Sequence, residues 1–346
     1  MKPETITSLL RPNILHLTPY SSARSEFDGA EGIFLDANEN PYNTDYNRYP
    51  DPLQRKLKEK LAQTKGVQPS NIFLGNGSDE AIDIALRSFC NPHADNIVTI
   101  TPTYGMYKVL AQINDVELRE VPLNADFSLN TQAVLQAVDA HTKMIILCSP
   151  NNPTGNDLEW SSMLHLLNNF SGIIAIDEAY IDFAQGASRL QYLPQYPRLI
   201  VWQTFSKAWA MAGLRLGIAF AHEELIAVFN KVKYPYNINA YTQQKALEML
   251  QQQPTMLQQV NTILQERQRL QKEFAQLKYV KTVYPTSANF ILIQVEDANR
   301  LYDYLLAQHI IVRNRTKVQL CGNCVRITVG TAHENDALLQ AMHLFA

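Results

Sequence analysis

From about residue 70 the chain alternates short, continuous apolar runs with segments whose apolar residues recur at helical spacing. The runs are NIFLG (71–75), NIVTI (96–100), MIILCSP (144–150), GIIAID (172–177), LIVWQTFS (199–206) and LGIAF (216–220). None alternates strictly between apolar and polar, so each reads as a strand covered on both faces. Between them, residues such as Ile82, Ala85, Leu86 and Phe89 trace one face of a helix. This alternation predicts an α/β domain over residues 28–235, with a mostly parallel central sheet flanked by helices.

After residue 235 the pattern changes. A long helical stretch (239–278) contains the Gln-rich QQQPTMLQQ (251–259), which reads as exposed helix surface around Pro254. NFILIQV, a helix near 298–308, IIVR, VRITVG and a final helix from about 334 then predict a smaller α+β domain over 236–346. The first 27 residues are too irregular to fold alone. They are expected to form an arm that packs on the small domain or reaches a partner.

The total of 346 residues suits one large and one smaller domain. With 46% hydrophobic and 18% charged residues and a net charge of -3, the chain has the balance of an ordinary globular protein and no basic footprint for nucleic acid or an anionic membrane. The N-terminal sequence lacks a basic start followed by an apolar run, and no stretch is apolar enough to span a bilayer, so the cytoplasm is the expected location. CGNC (321–324) could be a redox pair or half a zinc site. It precedes a strand-like run rather than opening a helix, and no second Cys/His pair is suitably spaced, so structural cysteines and no metal are expected.

Open α/β sheets bind ligands at the carboxyl ends of their strands, and the residues there form an informative set. After NIFL, Gly75-Asn76-Gly77-Ser78-Asp79-Glu80 opens a helix. Gly77 and the free N–H groups suit an anion, although a plain capped turn would read the same; the Asp79 and Glu80 side chains would repel a phosphate if aimed at it. Tyr104 follows NIVTI and could lie over a planar ring or simply fill core. Asn152, in the rigid SPNNPTG turn, offers an amide or a structural Asx-turn. Asp177 ends an apolar strand, where a carboxylate is costly unless it meets a cation. Lys207 lies among Trp202, Phe205, Trp209 and Met211, surroundings that would desolvate it and favour Schiff-base chemistry; a surface lysine is the ordinary alternative. Arg215 lies eight residues on. An anion cradle, a stacking aromatic, an amide, a carboxylate and a reactive lysine converge on pyridoxal 5'-phosphate (PLP).

SPNNPTG, DEAY, TFSKAWAMAGLRLG and VRITVGT resemble the fold-type-I PLP-dependent aminotransferases. LTPY, ANENPYN and RYPDP resemble their histidinol-phosphate branch, and the likeness covers nearly the whole chain. The resemblance implies a Schiff-base linkage on Lys207, which also moves the substrate α-proton. It implies Asp177 at the pyridine nitrogen, Tyr180 and Asn152 at the phenolate oxygen, and Tyr104 on the ring. Gly77, Ser78, Thr204, Ser206 and Arg215 are expected around the cofactor phosphate, and Asp79 among the other cofactor contacts. Tyr20, Asn38, Tyr49, Arg313 and Arg326 are expected at the substrate, with Tyr49 entering the neighbouring site of a homodimer. Two arginines near the second anion suit the phosphate of histidinol phosphate or the carboxylate of glutamate. Arg315 rivals Arg313; Arg313 is preferred because it ends the run IIV. The rivals are an aromatic-amino-acid aminotransferase, an amino-acid-phosphate decarboxylase, and a fold-sharing transcription regulator, for which the expected extra N-terminal domain has no room.

Overall fold

The computed structural model describes residues 5–20 and 32–345. Seven strands form the main sheet: β1 (Ile72–Asn76), β2 (Asn96–Thr101), β3 (Glu117–Pro122), β4 (Thr142–Cys148), β5 (Ile173–Asp177), β6 (Leu199–Thr204) and β7 (Leu216–Ala221). Their order is β1-β7-β6-β5-β4-β2-β3. The pairings β2/β3, β2/β4, β4/β5 and β5/β6 are parallel, whereas β7 is antiparallel to both β6 and β1. The sheet is thus parallel except for one reversed strand, and that reversal brings the start of β7 to the edge where β1, β4, β5 and β6 end.

Each of the six apolar runs between residues 71 and 220 became a strand because both faces of the sheet are covered. Ile72, Leu74, Ile145, Leu147, Ile174 and Ile176 join one buried cluster, and Phe73, Met144, Ile146, Ile173 and Ala175 the other. The second cluster packs under helices Ser78–Phe89 and Glu223–Val232. Strand β3 was not anticipated: it is an edge strand, mostly exposed, and carries the polar sequence ELREVP.

The second sheet comprises β8 (Val280–Val283), β9 (Phe290–Val295), β10 (Arg313–Asn314) and β11 (Cys324–Thr328), ordered β10-β11-β9-β8 and antiparallel throughout. Helices Gln253–Phe274, Ala298–Ala307 and Ala332–Leu344 cover it. Two sequence expectations change here. The stretch 239–278 divides into helices Ala240–Gln251 and Gln253–Phe274, with Pro254 in the first turn of the second, where its missing N–H costs nothing. The run IIV is not a strand; Ile311 is exposed, and only Arg313 and Asn314 pair with β11.

The N-terminal segment also departs from expectation. Ile6, Leu9 and Ile14 are buried against the main sheet's second cluster, and Arg11 donates to the carbonyls of Arg87 and Ser88. Residues 5–15 therefore pack on the larger unit, because that is where an apolar face remains to be covered. Among the described residues no helix is long and apolar enough to cross a membrane.

Candidate active site

A cavity of about 140 Å³ lies at the carboxyl edge of the main sheet. Ser78, Asp79, Tyr104, Asn152, Asp177, Tyr180, Thr204, Ser206, Lys207 and Arg215 all line it, together with Cys148, Ala179 and Ala212. Gly77 stands just behind Arg215: a Cβ built there would fall 2.6 Å from Arg215 Nη2.

The anion cradle is built from backbone. Gly77 has φ +80°, and helix Ser78–Phe89 starts without a side-chain cap, so its first N–H groups have no side-chain acceptor. Glu80, expected to be a nuisance there, turns away: its carboxylate accepts from the Asn76 N–H and from Asn237 Nδ2. Asp79 does line the cavity, but it accepts from the Tyr104 hydroxyl at 3.1 Å and lies 3.6 Å from Arg215 Nη2. Arg215 adopts a left-handed backbone, φ +53°, at the turn into β7. Gly217 was not singled out in the sequence. A Cβ there would sit 2.0 Å from the Ser78 nitrogen, so this glycine is what lets the cradle cross β7.

The two asparagines of SPNNPTG divide the work. Asn151 is wholly buried and structural: its side chain donates to the Pro102 carbonyl and Thr154 and accepts from Thr103. Asn152 faces the cavity, and its carbonyl oxygen accepts from Arg326 Nη1 of β11, which leaves the amide N–H groups for a ligand.

Asp177 is 2% exposed, and burial raises its carboxyl to about 6 despite hydrogen bonds from the Tyr107 hydroxyl (2.8 Å) and the Ala179 N–H (3.0 Å). Tyr107 is a second residue the sequence did not mark; in PTYGMY it looks like any apolar-face aromatic. Tyr180 is buried with its ring edge-on to Phe290, and burial raises its phenol. Lys207 is not enclosed by the neighbouring aromatics. Trp202, Phe205, Trp209 and Met211 are buried, whereas the lysine side chain opens onto the cavity, its Nζ 5.6 Å from the Tyr180 ring centre. Desolvation by the surrounding protein, then Arg326 and Arg215, nevertheless hold its ammonium below the ordinary lysine value.

The substrate candidates are less united. Arg326 lies over the Phe290 ring at 5.1 Å, with its Nε buried and unpartnered. Arg313 is its cross-strand neighbour but is exposed and borders a different cavity with Asp303 and Lys317. Arg315 is half-buried, and burial followed by Arg326 and Arg313 lowers it to about 10; it also acts on the Tyr180 phenol. The structure therefore brings Arg315, rather than the preferred Arg313, toward the Tyr180 side. Tyr20, Asn38 and Tyr49 do not reach the cavity within one chain. Tyr20 is exposed, and Asn38 and Tyr49 border a surface hollow where Tyr49 stacks on Tyr236 at 4.4 Å. Cys321 and Cys324 are buried and unbridged, the first in the turn entering β11 and the second opening that strand.

Residues 33–342 match the family model for aminotransferase class I and II. The chain is 56% identical over 337 residues to the histidinol-phosphate aminotransferase of Parabacteroides distasonis, covering 97% of this chain and 98% of that one. Among solved structures it is similar to the histidinol-phosphate aminotransferase from Clostridium acetobutylicum (TM-score 0.80, 25% identity, 86% of this chain and 90% of that one). It also shares its fold with the Sinorhizobium meliloti histidinol-phosphate aminotransferase in complex with pyridoxal-5'-phosphate (TM-score 0.79, 23% identity, 87% and 85%).

Proposed function

This chain belongs to the class I and II aminotransferases, in their histidinol-phosphate branch, and on that premise we propose that it moves the amino group of L-histidinol phosphate to 2-oxoglutarate. The products are imidazole-acetol phosphate and L-glutamate, the pathway is histidine biosynthesis, and the compartment is the cytoplasm. The observation that carries the reading is that one cavity gathers the cofactor-contact candidates, Gly77 just behind it, and meets Arg326 from the second sheet.

The residues fit pyridoxal 5'-phosphate. An uncapped helix start with the Ser78, Thr204 and Ser206 hydroxyls and Arg215 suits its phosphate; a buried carboxylate suits a ring nitrogen; a lysine of lowered basicity opens between them. When bound, the cofactor supplies a carbonyl that takes up the amino group and an electron-poor ring that accommodates the electron pair left at the substrate α-carbon.

The chain's own residues do the rest. Lys207 Nζ is the attachment point, and afterwards the base that takes the α-proton, a role its lowered pKa favours. Asp177 holds a proton on the ring nitrogen. The Asn152 amide and the Tyr180 hydroxyl would hold the phenolate oxygen, and Tyr104 would pack on the ring. Arg326 binds the substrate's anionic end with Arg315 or Arg313 beside it, and Tyr20 and Asn38 complete the subsite. The active unit is a homodimer in which Tyr49 enters the partner's site. Support for this comes from Ile33, Leu35, Tyr42 and Tyr46, apolar or aromatic residues more than half exposed on one stretch of chain, of the kind a partner subunit covers.

The test is an absorbance scan of the purified holoenzyme. Histidinol phosphate should convert the lysine-bound cofactor band to that of the aminated cofactor, 2-oxoglutarate should reverse it, and Lys207→Ala should abolish the starting band. A higher kcat/KM for phenylalanine would make the enzyme an aromatic-amino-acid aminotransferase, and CO2 release without an oxo-acid acceptor would make it a decarboxylase.

A further inference from the structure

We propose that Tyr107, which lies outside the cavity, is a positioning residue that keeps the proton of the Asp177–cofactor pair on the ring nitrogen and braces Tyr104. The inference rests on the reading of Asp177 given above.

Tyr107 is wholly buried in the first turn of helix Met106–Ile113. Its hydroxyl donates to Asp177 Oδ2 at 2.8 Å, and the Ala179 N–H donates to Oδ1 at 3.0 Å. Each carboxylate oxygen thus has one protein donor and keeps a lone pair for a further partner. The same ring meets that of Tyr104 edge-on, centroids 5.5 Å apart at 85°. One side chain therefore supports both the carboxylate and the aromatic expected on the cofactor's face. Burial, and then the charge of Asp177, hold the Tyr107 phenol well above its ordinary value, so it remains a donor throughout the working pH range.

A proton shared between a buried carboxylate and a pyridine nitrogen goes to whichever partner is the more basic. Donation from Tyr107 stabilises the ionised carboxylate and so leaves the proton on nitrogen. Without it, a carboxyl already raised to about 6 by burial becomes more basic still and draws the proton back. A hydrogen bond to a buried charged group changes such a balance by roughly 10- to 100-fold.

The holoenzyme reconstituted with ring-¹⁵N-labelled PLP reports this balance directly, because the nitrogen chemical shift distinguishes the protonated from the free pyridine. At a fixed pH near 8, Tyr107→Phe should move the signal toward the unprotonated value. 3-Fluorotyrosine at position 107, whose more acidic hydroxyl is the stronger donor, should move it the other way and decides the matter should the Phe variant not fold. A merely structural Tyr107 would lower thermal stability and leave the nitrogen signal in place. An unmoved signal in the Tyr107 variants, with Asp177→Asn shifting it strongly, overturns this inference alone. An unmoved signal in Asp177→Asn as well overturns the assignment of Asp177 on which it rests.

Discussion

Gly217→Ala tests the cradle without touching any side chain that faces the cavity. Gly217 sits in β7, paired with Gly75 on one side and Thr204 on the other, while the backbone of Gly77 and Ser78 crosses directly over it. An added Cβ would lie 2.0 Å from the Ser78 nitrogen and 2.2 Å from the Gly77 carbonyl carbon, whereas ordinary contact begins at 3.4 Å. The two must separate by about 1.4 Å, and both are backbone. Strand β7 is hydrogen-bonded on both sides, so the helix start is the part that gives. Overpacking of this kind costs about 1–3 kcal/mol of stability. A displacement above 1 Å also takes the helix-start N–H groups out of hydrogen-bonding range of a bound phosphate, and each such charge-assisted bond is worth about 1.5–3 kcal/mol. Loss of one or two of them lowers PLP affinity by roughly 10- to 10⁴-fold. The assay is fluorescence titration of the apoenzyme with PLP, alongside its thermal midpoint. Gly213→Ala is the control, since its Cβ would meet nothing within 4 Å in the same part of the site. A folded Gly217→Ala variant that binds PLP as the parent does, or equal damage from Gly213→Ala, refutes the close-approach argument.

Three further outcomes follow from the electrostatics. Arg326→Met should lower kcat/KM for histidinol phosphate by roughly 10- to 100-fold. Because Arg326 depresses Lys207, the same change should move the basic pKa of the kcat/KM profile to higher pH; an unmoved profile would separate the two residues. Asp177→Asn should stabilise the cofactor-free protein at pH 8 by up to about 3 kcal/mol while destroying activity. The sign follows from the carboxyl lying near 6 in the fold against 3.8 ordinarily: between those values the native state keeps a proton the unfolded chain has lost, so stability falls as pH rises through that window. Urea unfolding of both apo forms at pH 4 and pH 8 checks this, the gain being small at the lower pH. Lys58 is buried and lowered to about 8 from 10.5, chiefly by burial and then by Lys233, so the native state is penalised wherever the lysine is charged. Lys58→Met should gain up to about 3 kcal/mol at pH 7 and nothing above pH 11, read from denaturation midpoints at the two pH values.

Which features were legible in the sequence follows from burial. Strands β1, β2, β4, β5, β6 and β7 stood out because they are covered on both faces, so their apolar runs are continuous. Strands β3 and β8 have mixed exposure and so carry no continuous apolar run, unlike the edge strand β1, whose faces are both covered. The cavity residues were readable because strand ends in a parallel sheet converge on one edge, so position after a run is a spatial coordinate. Arg313 and Arg315 could not be separated that way: two residues apart at an extended strand end they share a face, and only packing shows that one is exposed and the other half-buried. Asn151 and Asn152 differ by one residue and by everything else, a distinction made by Thr103, Pro102 and Arg326 from elsewhere in the chain. Tyr107 and Gly217 act through what lies against them, and nothing local in PTYGMY or LGIAF marks that neighbour.

Most of the charges around this cavity are held away from their preferred state. Burial raises Asp177, while burial and neighbouring guanidiniums lower Lys207, Arg315 and Arg326. The Nε atoms of Arg315 and Arg326 are buried without a partner. An anion beside the guanidiniums and the lysine, or a ring-nitrogen cation beside Asp177, would favour the charged form of each group. The spacing of the cations is nonetheless fixed. Ser287 N–H donates to the Gly155 carbonyl at 2.7 Å, Arg267 donates to the carbonyls of Phe183 and Ala288, and Arg326 itself donates to Asn152, so several hydrogen bonds tie the second unit to the first. Arg326 and Arg313 both lower the Arg315 guanidinium after burial does, and Arg313 also lowers Arg326, so like charges crowd this end of β10 and β11. A carboxylate neutralises one guanidinium of such a cluster, whereas a phosphate dianion neutralises two. On the proposed assignment of these arginines to the substrate's anionic end, this crowding of like charge would favour a substrate that carries a phosphate over an amino acid that carries only its carboxylate.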